Sequence, residues 1–250
     1  MLTKDLAICI RAVDYSETSQ VVTFFTRDTG KIGAIAKGSK RPKSPFGGPI
    51  EMLSHGKIVF SDSSREKLAT LTEFEPACGA PGAAGLQNDL FVLNCCLFAA
   101  ELTNHLTDDY DPHPQLFDSF VQFIQDVQQD SDRTRILALT ILFQLALLKE
   151  VGFQPILDHC ANCKTPHAAH GVQSQTYFSS LANGLVCRDC EPNFPDKIRL
   201  SRNAAACLIS LKQIPDATEK TLGEVEQILV RHFTHLLGRP LKMAKHILKG

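Results

Sequence analysis

Two Cys-x-x-Cys pairs are the residues of this chain whose types and spacing best suit chemistry: Cys160 with Cys163, and Cys187 with Cys190. Two residues between the cysteines of a pair allow both thiolates to turn toward one ion. The 23 residues between the pairs close a loop like those of zinc ribbons. Four thiolates fill the tetrahedral coordination of Zn²⁺ and leave no position for water or substrate. The spacing therefore predicts one structural zinc ion that supports folding rather than catalysis.

Other interpretations of the two pairs fit less well. A thioredoxin-like redox motif would need a single pair in a βαβ context, and common iron–sulfur spacings place three cysteines close together. A zinc deaminase would need an H-x-E element and a proline where Val186 stands. His159, His167 and His170 lie nearby, and replacement of one cysteine by one of them stays open. The remaining cysteines lie in or beside apolar segments and are predicted to be buried: Cys9, Cys78, Cys95, Cys96 and Cys207.

A basic loop near the N-terminus offers a second kind of chemistry. The segment 31–57 carries six basic residues and one acid, Glu51, for a net charge of +5. Four of the six lie in 37–43 beside glycine and serine, where the backbone and short hydroxyls can approach phosphates closely. A solvated loop with no ligand is the simpler alternative. The predicted phosphate contacts are Lys31, Lys37, Lys40, Arg41, Lys43 and Lys57.

Aromatic residues could add stacking platforms for bases to such a surface. The candidates in this region are phenylalanines, and we expect two of the four to be core residues. Because the chain has no tryptophan and only Tyr15 as a non-Phe aromatic in its first 100 residues, the argument depends on phosphate contacts. The four phenylalanines are Phe24, Phe25, Phe46 and Phe60.

Composition and motifs restrict the possible classes of function. The 26 Lys+Arg nearly balance the 27 Asp+Glu, so binding of nucleic acid would have to come from a local patch. We find no Walker phosphate loop, no G-x-G-x-x-G and no G-x-S-x-G, which argues against an enzyme. The charged start predicts no secretory signal, and the interrupted apolar stretch 136–148 predicts no membrane span, so we expect a cytoplasmic protein. We also expect no small-molecule substrate.

The first part of the chain has the pattern of short strands. β-Branched and apolar residues dominate 6–13, 20–26, 31–36, 57–61 and 68–72, and turn signals separate them. Five short strands fit a small closed barrel, because closure removes exposed edges. An OB-fold-like barrel is our prediction, and an SH3-like barrel fits the strand count almost as well.

The rest of the chain has mostly helical periodicity. Apolar positions indicate helices from about residue 87, with a break at 111–114, a central helix over 133–151, and further helices after Ser201 and around 222–236. We therefore predict an α+β multidomain protein. Its parts are an OB-fold-like β-barrel over 1–78, an all-α helical domain over 79–154 and 193–250, and an inserted zinc-ribbon-like module with four cysteine ligands over 155–192.

These parts and several motifs together resemble the bacterial RecO recombination mediators over nearly the whole chain. The segments DYSET at 14–18, TRDTGK at 26–31 and AKGSKRPKS at 36–44 are similar to the family's opening motifs. GFQP at 152–155 and the two cysteine pairs are similar to its zinc segment. Asn183-Gly184 departs from the Gly-Gly of many relatives, but asparagine also tolerates left-handed backbone.

The resemblance implies functions that composition and spacing do not. It implies binding of single- and double-stranded DNA and annealing of complementary strands. It also implies action with RecR, with the tail of single-strand-binding protein and indirectly with RecA, which is loaded onto coated strands at the nucleoid. Some relatives lack the cysteines, which suggests that zinc supports the architecture without being essential to activity. A protein-interaction adaptor with incidental DNA contact is the main alternative, and an uncharacterised enzyme is the weaker one.

Overall fold

A closed five-stranded barrel forms the N-terminal part of the computed structural model, which describes residues 2–61, 68–77, 82–86, 89–167 and 175–248. The strand order is β1-β2-β3-β5-β4, and β1 pairs with β4 to close the barrel. All pairs are antiparallel except β3 with β5. This closed barrel confirms the predicted OB-fold-like layout. The strands are β1 Leu2–Asp14, β2 Gln20–Thr26, β3 Gly30–Ala36, β4 His55–Ser61 and β5 Ala69–Pro76.

Alternation of side chains explains why these segments form strands. Along β3 every second residue is buried, so one face lines the barrel and the other faces outward. β1 carries a bulge between Cys9 and Arg11, where its register to β2 shifts by one residue. The barrel interior is filled mainly by Ala7, Cys9, Val22, Phe24, Ile32, Ala34, Ile58, Phe60, Leu71 and Phe74.

Within the described residues, six α-helices follow the barrel, and side-chain caps mark where several begin. Asp89 accepts hydrogen bonds from the backbone N–H groups of Phe91 and Val92, and Ser201 accepts one from Ala204, as the predicted N-cap requires. The predicted helix after Ser201 is shorter than expected and ends at Ile209, before a 3₁₀ turn. The helices are α1 Leu90–Leu106, α2 Pro114–Gln129, α3 Arg133–Glu150, α4 Arg202–Ile209, α5 Glu219–Leu237 and α6 Ala244–Ile247.

The chain divides into two compact units, 1–128 and 129–250. The first contains the barrel, α1 and α2. The second contains α3, a three-stranded sheet of order β7-β6-β8, and α4 to α6. That sheet comprises β6 Thr176–Ser179, β7 Gly184–Cys187 and β8 Ile198–Arg199. The finer division at 78, 154 and 192 stays a prediction. Among the described helices, none has the length and apolar character that crossing a membrane requires.

Candidate metal centre and basic loop

The four cysteines meet at one point in the second unit. Cys160 and Cys163 lie on a tight turn that the backbone N–H of Lys164 closes by donating to the Cys160 carbonyl, 2.9 Å away. Cys187 ends β7, and the Cys190 N–H donates to its carbonyl at 3.2 Å. In addition, the Cys187 N–H lies 3.4 Å from Cys160 Sγ. These two Cys-x-x-Cys turns, here called the first knuckle (160–163) and the second knuckle (187–190), therefore face each other.

The distances between the sulfurs fit a four-thiolate metal site. All four Sγ atoms lie within 4.8 Å of one another, and Cys163 Sγ is 3.8 Å from Cys187 Sγ. A tetrahedral Zn²⁺ with Zn–S bonds of about 2.3 Å would hold its sulfurs about 3.8 Å apart. The donor set and its spacing therefore suit one metal ion of this type.

The surroundings of the sulfurs shift the pKa values of two of the four thiols in opposite directions. Cys160, Cys187 and Cys190 are buried, together with Val186, while Cys163 is exposed. Burial raises the pKa of Cys187 to about 12. The Thr165 hydroxyl, 3.3 Å from Cys163 Sγ, lowers the pKa of that thiol to about 6. A dication supplies the charge that allows the buried thiols to lose their protons at neutral pH.

The nearby histidines are not needed to complete the set. His159 Nδ1 lies 2.7 Å from Asp158 Oδ1, and His167 is buried. His170 lies outside the described residues. Because four sulfurs suffice for tetrahedral coordination, the four cysteines could hold an ion without a histidine. Of the other cysteines, Cys9, Cys95, Cys96 and Cys207 are buried as predicted, and Cys78 lies outside the described residues.

The turn before the second knuckle shows why asparagine is tolerated there. Asn183 has a φ of 50°, in the left-handed region, and its side-chain amide donates to the Gln154 carbonyl at 3.2 Å. A Cβ on the next residue, Gly184, would lie 2.3 Å from the Ile156 carbonyl oxygen. Glycine is therefore required at 184, whereas asparagine suffices at 183.

Gln20, at the start of β2, fixes the basic loop of residues 37–43. Its buried side-chain oxygen accepts hydrogen bonds from the Ser39 hydroxyl and the Ile50 N–H, both at 2.9 Å. Its amide nitrogen donates to the Ile50 carbonyl at 3.2 Å. Sequence reasoning missed Gln20, whose only signal is a polar residue at the first inward position of an apolar strand.

Three of the six predicted contact residues stand free on the loop. Lys37, Arg41 and Lys43 are exposed, and none forms an ion pair or side-chain hydrogen bond with the described part of the chain. Lys40 is different, because its Nζ lies 2.7 Å from Asp14 Oδ2. Lys57 lies apart from the loop, in the middle of β4, and its register partner on β5 is the acidic Glu75.

The ammonium group of Lys31 already has hydrogen-bond partners within the protein. Its Nζ donates to the carbonyls of Asn104 and Thr107 at 3.0 and 2.6 Å, and it lies 3.4 Å from Asp109 Oδ1. Its side chain is only 14% exposed. These bonds satisfy carbonyls at the end of α1, so we leave Lys31 out of the proposed phosphate surface.

The four phenylalanines of this region do not lie where stacking would need them. Phe24, Phe25, Phe46 and Phe60 are all buried, so the expectation that only two of them are core residues is wrong. Tyr15 is instead 66% exposed. It lies in the turn 15–19, whose Thr18 carbonyl accepts a hydrogen bond from the Lys40 N–H at 3.1 Å. Tyr15 is therefore an exposed aromatic on the turn that supports the basic loop.

Comparison with known proteins identifies the family. Residues 1–79 match the family model described as Recombination protein O N terminal, and residues 87–244 match Recombination protein O C terminal. The chain belongs to the RecO family. The predicted resemblance is thus confirmed, and both descriptions denote a recombination protein without naming an enzymatic activity.

Proteins named DNA repair protein RecO are similar to this RecO-family chain over most of its length. The one from Bacillus subtilis is 28% identical over 254 residues, which cover 99% of this chain and 94% of the relative. The one from Anaeromyxobacter dehalogenans is 30% identical, with 94% and 91% covered. The one from Rhodopirellula baltica is 32% identical, with 87% and 77% covered.

Proposed function

We propose that this chain is a DNA-binding mediator of recombinational repair. It binds single- and double-stranded DNA, anneals complementary strands and helps to load RecA onto strands coated by single-strand-binding protein. Its partners are RecR and the tail of single-strand-binding protein, and it acts in the cytoplasm at the nucleoid. Membership of the RecO family supports this proposal. Its physical basis is the free basic loop on the barrel.

Three unpaired cations on a fixed loop suit phosphates better than bases. Lys37, Arg41 and Lys43 are exposed, and the Gln20 hydrogen bonds hold the loop that carries them. Cations on such a surface neutralise backbone phosphates and release counterions, so binding is largely independent of sequence and weakens as salt rises. Tyr15 offers a ring on which a base can stack.

Annealing follows from the same charge. Two strands repel each other through their phosphates, and a cationic surface that contacts both lowers this repulsion. Base pairing then supplies the specificity, and no nucleotide hydrolysis is needed.

We also propose that the metal held by the four cysteines is one structural Zn²⁺. Cys160, Cys163, Cys187 and Cys190 would bind it, and the ion would supply cross-linking of the two knuckles rather than chemistry. Elemental analysis of the purified native protein should find one zinc per chain.

The decisive experiment reverses the three free charges. A Lys37→Glu/Arg41→Glu/Lys43→Glu variant should bind labelled oligo-dT at least tenfold more weakly than wild type in fluorescence anisotropy. The slope of log K against log salt should fall by about 2, since each single-strand phosphate contact contributes about 0.7. The matched control reverses three exposed cations of the second unit, Lys212, Arg231 and Lys245, and should bind like wild type.

Unchanged affinity and salt slope in the loop variant would reject DNA binding by this loop. It would favour the adaptor alternative, in which the chain mainly binds proteins. A pull-down of the wild-type chain by the tail peptide of single-strand-binding protein, run beside the DNA titration, separates these two functions.

A further inference from the structure

A wide polar cleft in the second unit gathers three arginines. Its volume is about 850 Å³, and Arg188, Arg199 and Arg202 lie along its walls. Arg188 lies between the two cysteines of the second knuckle, Arg199 lies on β8, and Arg202 begins α4. Three separate elements thus place a guanidinium around one opening.

These arginines lack the carboxylate partners that Arg27 and Arg133 have. Arg27 pairs with Asp118 through two bonds of 2.9 Å, and Arg133 pairs with Glu219 at 3.1 Å. By contrast, all three cleft arginines are exposed and form no ion pair or side-chain hydrogen bond with the described residues. In a chain whose net charge is −1, three neighbouring unpaired guanidiniums form a local site for an anion.

The rest of the lining is polar and largely held in place. Gln175 donates a hydrogen bond to the Leu200 carbonyl at 2.9 Å, and Ser201 accepts one from the Ala204 N–H at 3.2 Å. Asp189 is the one acidic residue among the described lining residues, so the cleft carries a net charge of +2. Tyr177 stands in register with Arg199 across β6 and β8, and its ring is half-buried.

We propose that this arginine cleft is a second binding site for DNA backbone phosphates, separate from the basic loop. The planar guanidinium fork matches phosphate geometry, and three forks on different elements can follow successive phosphates. Leu200 and Ala205 are the apolar residues of the described lining, and both are buried, so this lining offers no exposed apolar surface to the side chains of an acidic peptide. This inference rests on the proposed function, and it assigns part of the DNA contact to the second unit.

The test reverses the cleft charges in the full-length, metal-loaded protein. An Arg188→Glu/Arg199→Glu/Arg202→Glu variant should bind labelled oligo-dT about tenfold or more weakly than wild type, with a salt slope lower by about 2. The Lys212→Glu/Arg231→Glu/Lys245→Glu protein is the charge-matched control and should bind like wild type. An Arg199→Lys/Arg202→Lys variant keeps the charge without the guanidinium fork. It should lose less affinity for oligo-dT than the triple glutamate variant. Metal content and circular dichroism establish that each variant is folded.

The outcomes separate this proposal from the proposed function. If the loop variant loses affinity and the folded cleft variant does not, DNA binding stands and the cleft proposal is rejected. If neither loses affinity, both are rejected. A poly-glutamate peptide that binds wild type but not the cleft variant, while the DNA affinity of that variant is unchanged, would assign the cleft to an acidic protein partner and overturn the proposal. If the triple cleft variant misfolds, the single variant Arg199→Glu provides the test. It should bind DNA about threefold more weakly than wild type, and unchanged affinity would reject the site.

Discussion

Tyr15 is the one exposed aromatic side chain on the turn that supports the basic loop. Its ring is 66% exposed on the turn that contacts the basic loop. Base–aromatic stacking contributes about 1–3 kcal/mol per base, so Tyr15→Ala should weaken single-strand binding by about 5- to 150-fold. The salt slope should not change, because no cation is lost. Tyr15→Phe keeps the ring and should bind like wild type. Equal affinities of the alanine and wild-type proteins in anisotropy titrations would exclude stacking.

Glu226 on α5 is a buried acid whose one side-chain hydrogen bond within the described residues is to an amide. Gln144 on α3 donates to its Oε2 at 2.6 Å, while the second oxygen of each side chain has no partner among the described residues. Burial raises the pKa of Glu226 from 4.5 to about 7. Burial penalises the charged carboxylate, so the folded state favours the neutral acid.

The raised pKa of Glu226 fixes the sign of a pH effect on stability. The folded state binds this proton more tightly than the unfolded state. The resulting contribution of Glu226 to the free energy of unfolding is complete below about pH 4.5 and is lost as pH rises through about 7. Glu226→Gln keeps an amide pair with Gln144 and removes the ionisation. Its free energy of unfolding should exceed that of wild type by under about 1 kcal/mol at pH 5 and by about 3 kcal/mol at pH 8.

Urea unfolding at several pH values measures this difference. Asp216→Asn, at an exposed position of the same unit, is the control and should follow the wild-type pH dependence. A constant difference between Glu226→Gln and wild type from pH 5 to pH 8 would show that Glu226 is already ionised in the folded protein.

At the scale of elements, the β2–β3 turn meets the loop between α1 and α2. Gly30 has a φ of 85°, and a Cβ there would lie 2.4 Å from the Asp111 carbonyl oxygen. The Tyr110 N–H donates to the Lys31 carbonyl at 3.0 Å, which holds this loop against the barrel. The glycine of the turn is therefore required twice, for its backbone angle and for the close approach.

Gly30→Ala should destabilise the first unit by about 2 kcal/mol or more, since both the left-handed backbone and the clash oppose it. Gly47→Ala provides the control, because Gly47 has a φ of 71° but nothing within 4 Å of the added Cβ. It should cost only about 1 kcal/mol. Thermal unfolding of both variants measures the difference. Equal losses of stability would show that the Asp111 backbone moves away from the added Cβ at little cost.

Elements were more predictable than the positions of individual side chains. Alternating and helical periodicities depend on local sequence, so the strands, the helix break before Pro114 and the N-cap at Ser201 followed from it. Local pattern cannot show which distant groups meet. It therefore could not show that Lys31 donates to carbonyl groups at the end of α1, that Phe46 is buried, or that Arg188 and Arg199 share a cleft. The cysteines are the exception, because metal-binding spacing encodes a long-range contact directly.

At the scale of the whole molecule, the two compact units should unfold as separate steps. Each contains buried hydrophobic residues, and the four-cysteine site lies entirely in the second. Because metal binding contributes directly to folding free energy, removing the ion should lower the midpoint of the second unit and leave the first unchanged. A drop of about 10 °C corresponds to a loss of about 2–3 kcal/mol in a unit of this size.

Buried free cysteines report on each unit during this unfolding. Cys9 and Cys96 lie in the first unit and Cys207 in the second, and all three are buried. Thiol labelling during urea titration, read by peptide mass spectrometry, should show Cys207 becoming reactive at lower urea after treatment with a chelator. Cys9 and Cys96 should keep their midpoints. Gly30→Ala should produce the opposite pattern. If chelation moves all three midpoints together, the two units unfold as one, and the metal stabilises the whole chain rather than the unit that binds it.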